Sequence, residues 1–429
     1  MFGFANFLLL ALFAAAVFDL IFALARGGGL RGALHGLWNT PHLLFGQQLA
    51  EWRLQLGRIL FAAGLAAYEI SVVFCNSMAR QNWAWVQGVM SPVLEWLAFL
   101  CFGAKILFGT RYTWRELLAG GALYFIARWV YFNSQNIWWI GIVVAVLAAK
   151  DVRLRHPLQV YFASGCAAMA VVLALHFAGI IAPDLTSERM GALRGTYGYG
   201  HPNTFGGLVF GLVLAYALLR AQKVRWVDCL LVFAVGVFLL VGPASRSAAL
   251  CTLALAVGLV FCRLRAGHSV PRWWPGTCAG MVGLTAAVSY LLPLLVIKVG
   301  PWNNDIGPAW LAKLDSLLTC RISLTWMAYR LLDVKIAGKV FNWPTVDNSF
   351  AFALFQFGPV VAALLGILFA AALWGHAKQG RRVEVCCLFA MLAYAYMEVQ
   401  PFHLTTNPTA LLLCGAVFAQ TSARWQKIE

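Results

Sequence analysis

Apolar runs long enough to cross a bilayer recur along the whole of this 429-residue chain, and no other feature restricts its fold as tightly. A hydrocarbon core about 30 Å thick takes roughly 20 consecutive apolar residues as a helix. Lipid offers no hydrogen-bond partners, so the backbone of such a run must satisfy itself, and a helix does so within one segment. The runs are apolar all round and not striped, which excludes the surface helices of a soluble protein. Composition agrees. The chain is 62% apolar and 11% charged, where a soluble domain carries about a quarter charged residues, and its mean hydropathy is +0.76. The expectation is an all-α integral membrane protein, a single polytopic domain over 1–429, with about twelve or thirteen transmembrane helices.

The spans are expected at 4–25, 59–75, 88–108, 116–132, 137–149, 158–182, 203–219, 226–243, 247–262, 274–297, 349–374, 383–399 and 403–420. The fifth is short and Pro408 interrupts the last. The net charge of +16 would point to nucleic acid in a soluble protein. Here most Lys and Arg sit in alternate loops, as at Lys150/Arg153/Arg155, Arg220/Lys223/Arg225, Arg263/Arg265/Arg272 and Lys378/Arg381/Arg382. Cytoplasmic loops are the basic ones. The odd-numbered loops are therefore placed in the cytoplasm, and 183–202, 243–247 and 298–348 outside.

Other classes are excluded on residue grounds. All cysteines but Cys320 lie in expected spans, with no CxxC and no Cys/His cluster of metal spacing, so they read as small packing residues. The first apolar run lacks a basic stretch before it, and Arg26 and Arg31 follow it. It reads as a first transmembrane helix and not a cleaved signal. Walker A, HExxH, GxSxG and DxD patterns are absent.

The unusual polar residues fall in three external segments. Arg194–Gly206 carries Tyr197, Tyr199, His201, Asn203 and Thr204. Pro202 suits a first helical turn, Asn203 and Thr204 can satisfy free amides, and a helix N-terminus beside Arg194 attracts phosphate. A glycine-rich turn that merely caps a span is the competing reading. The turn Gly242–Ser247 carries Ser245, Arg246 and Ser247. Arg246 starts a helix there or snorkels to headgroups. The long loop 298–348 shows an amphipathic pattern over 309–330, with Trp310, Leu314, Leu317 and Leu318 on one side, as for a helix lying on the membrane. It holds Arg321 and Trp326 and ends at Asp347 and Asn348, either of which also suits a helix N-cap. Asp19, Glu69, Glu95, Arg128, His176, Asp228 and Glu398 lie within spans. Such groups are costly in lipid and pair or line cavities, and Glu69 or Glu95 with Arg128 is an expected structural pair.

The strings GHPNTFG at 200–206, GPASRS at 242–247 and VDNSF at 346–350, with Arg321, Trp326 and Gly338 between them, resemble the O-antigen polymerase/ligase superfamily over about 190–375. GHPNTFG looks most like the polysaccharide polymerases of capsule and exopolysaccharide clusters. The resemblance implies a GT-C-type membrane glycosyltransferase in the cytoplasmic membrane of a bacterium, with its site on the external face and no metal or other cofactor. It implies inverting transfer of a glycan from an undecaprenyl-diphosphate-linked donor to a sugar hydroxyl. Implied partners are membrane lipid and other polysaccharide-assembly proteins, such as a flippase or chain-length regulator. Arg194, Arg246 and Arg321 would bind diphosphate, His201 or Asp347 would take the acceptor's proton, and Tyr197, Tyr199, Asn203, Thr204, Ser245, Ser247, Trp326 and Asn348 would line the substrate site. A surface-polysaccharide ligase is the alternative within the class. A lipid-linked oligosaccharide flippase or exporter is the alternative outside it, although the internal repeat typical of exporters is missing.

Overall fold

The computed structural model describes residues 2–25, 29–45, 50–181, 187–189, 192–296 and 308–418. The architecture is helical, with two minimal antiparallel strand pairs, His42–Leu43 with Arg111–Tyr112 and Ser187–Arg189 with Ala192–Arg194. Among the described residues, eight helices are long and apolar enough to cross a membrane: Gly3–Ala25, Glu51–Cys75, Val86–Phe108, Arg155–Phe177, Pro202–Leu219, Arg246–Leu264, Trp274–Leu295 and Pro359–Lys378. Trp114–Ser134, Ile137–Ala148, Trp226–Val241 and Arg382–Met397 complete the bundle. The outer helices divide their apolar residues between two environments, while Ile137–Ala148 and Pro202–Leu219 are enclosed by the others. In the first helix, Phe4, Leu8 and Leu12 enter the core while Phe7, Leu10 and Phe13 face outward. An outer surface this apolar suits lipid.

The loops segregate to two ends as the charge pattern implies. At one end Arg53 Nε donates to Phe108 O at 2.9 Å, Lys150 pairs with Glu116 at 3.3 Å, and Arg382 binds the carbonyls of Arg265 and His268. These contacts join odd-numbered loops to one another. At the other end Met78 N donates to Gly198 O at 2.8 Å, Arg194 reaches the 242–246 turn, and Gln356 Nε2 donates to Ser134 O at 2.9 Å.

Four expectations need correction. Arg128 binds the side chain of Asn6 and lies 4.7 Å over the Phe132 ring, and no ion pair joins it to Glu69 or Glu95 among the described residues. The 309–330 segment is two helices, Ala309–Leu317 and Arg321–Leu331, broken at Thr319 and Cys320 where φ is +62° and +64°. Buried Asp315 fixes the break by accepting from Ile322 N at 2.8 Å and Ser323 N at 3.1 Å. Leu314 and Leu318 consequently pack against Leu311 and Ile322, while Trp310 and Leu317 stay exposed.

The third correction concerns 349–374, which is interrupted at Gly358 (φ +87°) before the helix resumes at Pro359. The long loop packs into this break. A Cβ on Gly338 would lie 1.9 Å from Gln356 O, and one on Gly358 would lie 2.0 Å from Ile336 O. Only glycine permits this approach at positive φ. The fourth concerns 403–420, of which the described part, 403–418, is no transmembrane helix and 419–420 lie outside the described residues. The described part passes from His403, tilted against the Trp138 ring at one end, to Phe418, packed on Tyr112 at the other, through a short 3₁₀ segment Pro408–Leu413. Thr405, Thr406, Asn407, Thr409 and Ala410 are all buried. Irregular backbone is tolerated at membrane depth where protein surrounds it, and here Asn407 accepts from Ala410 N and donates to Pro401 O at 2.9 Å.

Candidate functional site

The helix Pro202–Leu219 opens with an extended His201 (φ −154°), whose Nδ1 accepts from Asn203 N at 3.1 Å, and with proline at the first helical position. Both choices suit a helix start, where proline's missing N–H costs nothing and a free amide needs an acceptor. The Asn203 side chain then works in two directions. Its Oδ1 accepts from Arg194 Nη2 at 2.9 Å and lies 3.5 Å from Ser245 Oγ, and its Nδ2 donates to Glu398 Oε1 at 3.1 Å. Arg194 also donates to Ala244 O at 3.2 Å and Pro243 O at 3.4 Å. This ties the 242–247 turn to the helix start. Gly206 makes the approach possible, since a Cβ there would lie 2.2 Å from Ser245 Oγ.

Glu398 is the hub. It follows the helix Arg382–Met397 in extended conformation, and its Oε1 accepts from Arg321 Nη2 at 2.6 Å, Ser247 Oγ at 2.8 Å and Asn203. Its Oε2 has no hydrogen bond among the described residues. Arg321 is buried and its fork is spent on protein: Nε on Met397 O, Nη1 on Leu318 O at 2.9 Å, and Nη2 on Glu398 and Ser247. Ser349 Oγ donates to Glu398 O at 2.5 Å. Asn348 caps the helix that follows, accepting from Phe350 N at 2.9 Å and Ala351 N at 3.1 Å, and donates to Ser289 Oγ. Asp347, half-buried, makes no hydrogen bond or ion pair among the described residues and lies within electrostatic reach of Glu398.

The expected site residues therefore divide. Asn203, Ser245, Ser247, Arg194 and Arg321 converge on one polar centre with Asp347 beside it, and His201 and Arg246 lie exposed on the same helix starts. Asn348 adopts the capping role that was its alternative reading. Thr204 is half-buried, and its backbone N–H bonds His201 O at 3.0 Å. No family model matches this chain, and neither does any curated protein or solved structure.

Two tyrosines and a tryptophan go elsewhere. Tyr199 is fully buried in the core, against Phe205 at 5.6 Å. Tyr197 stacks on Phe205 at 5.0 Å and fills space beside Gly242. Trp326 packs against the small cluster of Val296, Leu311 and Ile322, with the Arg330 guanidinium 5.6 Å from its ring. Burial of aromatic area decides all three positions. The reverse error concerns Glu398. It stood among the ionisable residues of the spans and was not assigned to the site, although an acidic residue at membrane depth is itself a functional signal. Gln400 was also missed. Its Nε2 donates to Asn203 O at 3.2 Å, and its Oε1 accepts from Tyr394 OH at 2.8 Å.

Proposed function

We propose that this chain is a membrane glycosyltransferase of GT-C type that polymerises lipid-linked polysaccharide repeat units by inverting transfer from a polyprenyl-diphosphate-linked donor. One observation carries the reading. In a bundle whose outer surface is apolar, Asn203, Ser247, Arg321 and Glu398 from four remote segments meet at the loop end away from the basic loops. The resemblance of 200–206, 242–247 and 346–350 falls on the segments that build this centre.

The acceptor hydroxyl oxygen attacks the anomeric carbon from the face opposite the diphosphate. The carbon–oxygen bond to diphosphate breaks as the new bond forms, diphosphate leaves with the electron pair, and a base takes the hydroxyl proton. In this reading the tasks are divided differently from the sequence expectation. His201 Nδ1 already accepts the Asn203 amide proton, so its neutral ring carries its own proton on Nε2 and offers a donor. Asp347, half-buried and without a protein partner among the described residues, is the base. Arg321 is a positioning residue for Glu398, because its donors are committed. Arg246, exposed at the first residue of the helix Arg246–Leu264, meets the diphosphate, where the helix N-terminus adds partial positive charge.

The test is purified protein with a polyprenyl-diphosphate-linked oligosaccharide, followed by gel separation of the products. Stepwise chain extension by wild type and its loss in Asp347→Asn support the reading. Donor translocation across vesicles without any new glycosidic bond sinks it.

A further inference from the structure

At the opposite end of the bundle a cleft of about 640 Å³ opens between the 221–225, 262–267 and 380–384 segments. Its lining includes Lys223, Arg225, Arg263, Arg381 and Arg382, with Glu384 as the one carboxylate. Two of the five cations are committed. Arg381 lies in the field of buried Glu384, and Arg382 binds the carbonyls of Arg265 and His268, which fixes the loop after the helix Arg246–Leu264 against the start of the helix Arg382–Met397. Lys223, Arg225 and Arg263 are exposed and enter no ion pair among the described residues. The neighbouring Arg220 shows the alternative, being held by Asp228 at 3.1 Å. Three unneutralised cations around a preformed concavity, with the first turn of a helix on its wall, form a setting for a phosphate group.

The surroundings identify the carrier of that phosphate. Immediately beside the cleft the helices Trp226–Val241 and Arg246–Leu264 turn large apolar residues outward: Trp226, Val227 and Leu230 on one, Phe261 and Leu264 on the other. A tryptophan at a helix end, as Trp226 is, suits headgroup depth, and the aliphatic and phenyl side chains beside it suit acyl chains. A group whose phosphate enters the cleft can thus lay acyl chains on the adjoining apolar surface. We infer that the cleft binds the headgroup of an anionic phospholipid. The inference does not depend on the glycosyl-transfer reading. It bears on the centre through the fold, because the helix Arg246–Leu264 carries Ser247 at its far end and the helix Arg382–Met397 leads into Glu398. The cleft therefore sits at the near ends of the two helices that carry those residues.

The experiment uses full-length protein in detergent and titrates phosphatidylglycerol, phosphatidylcholine and inorganic phosphate, reading saturable thermal stabilisation and native mass spectra. The expected result is saturable binding of phosphatidylglycerol over phosphatidylcholine, weakened on the order of 10²-fold in Lys223→Gln/Arg225→Gln/Arg263→Gln, at a factor of roughly five for each cation removed. Neutralising three exposed cations at the same end, Arg31→Gln/Arg58→Gln/Arg111→Gln, leaves that affinity within about twofold. Equal loss in both triple variants overturns the proposal, because diffuse surface charge then explains binding. Saturation by inorganic phosphate at the affinity of the lipid also overturns it, as the lipid then adds nothing. If the cleft triple variant does not fold, Arg225→Gln alone takes its place with a loss of about fivefold expected. No saturable phosphatidylglycerol binding to wild type rejects the site outright.

Discussion

Arg321 Nη2 and Glu398 Oε1 lie 2.6 Å apart across 77 residues of sequence, both buried, and the pair closes a centre to which Ser247 and Asn203 add donors. Arg321 comes from the long loop and Glu398 from the end of a helix in the bundle. Their contact helps dock the loop's second short helix onto the bundle, together with the packing of Ala328 and Tyr329 on Phe355.

Breaking a buried pair leaves a charge without compensation, at a cost of about 3–5 kcal/mol. Glu398→Ala is therefore expected to lower the melting temperature and folded yield strongly. The double variant Arg321→Met/Glu398→Leu, which removes both charges, is expected to recover much of that loss while remaining inactive in chain extension. Thermal unfolding of the three proteins in detergent checks it. A double variant no more stable than Glu398→Ala would mean that the pair does not hold the loop.

Asp347→Asn and His201→Ala separate the base from the cap. With Asp347 as base, Asp347→Asn lowers the rate per folded molecule by ~10²–10⁴-fold and leaves donor affinity nearly unchanged. His201→Ala removes a helix cap of about 1 kcal/mol and weakens donor binding more than it slows turnover. Initial rates and donor affinity of the two variants decide between these roles. The opposite pattern would return the base to His201.

Gly358→Ala places a methyl where Ile336 O lies 2.0 Å away, at φ +87°. The carbonyl belongs to backbone and cannot swing aside, so the loop must lift from the 353–357 segment. A loss of at least about 2 kcal/mol is expected, together with new protease cleavage within 332–346. Gly375→Ala, with open space around its Cβ, serves as the tolerant control.

The two-ended arrangement of loops makes a topology prediction. A cysteine placed at Lys335 is expected to react with an impermeant thiol reagent applied from outside, and one at Lys223 only after permeabilisation, in a background where exposed Cys320 is replaced. Labelling at 223 alone in intact cells would reverse the orientation drawn from the basic loops.

Most span positions, and the sorting of loops to two ends, were legible in the sequence, because both rest on local properties. A run such as 203–219 is apolar by itself, and charges such as Lys223 and Arg382 mark their loops whatever lies elsewhere in the chain. Parts of the site were legible too: Pro202, Asn203 and Ser247 sit where helix starts demand them. Other features were decided only by contacts far apart in sequence. Glu398 reads as one more acidic residue in a span until Asn203, Ser247 and Arg321, 195, 151 and 77 residues away, supply its donors. Tyr199 reads as a ligand residue until Phe205 and the core enclose it. The 403–420 run is apolar enough for a helix, yet Pro408 and Asn407 divert it into a 3₁₀ path that survives only because neighbouring helices surround it. Tyr161 OH donates to Thr405 O, and Gly211 lets the Thr405–Thr406 backbone pack against its helix. An apolar pattern establishes that a segment leaves water, and only the packed neighbours supply the hydrogen bonds that permit any path other than a helix.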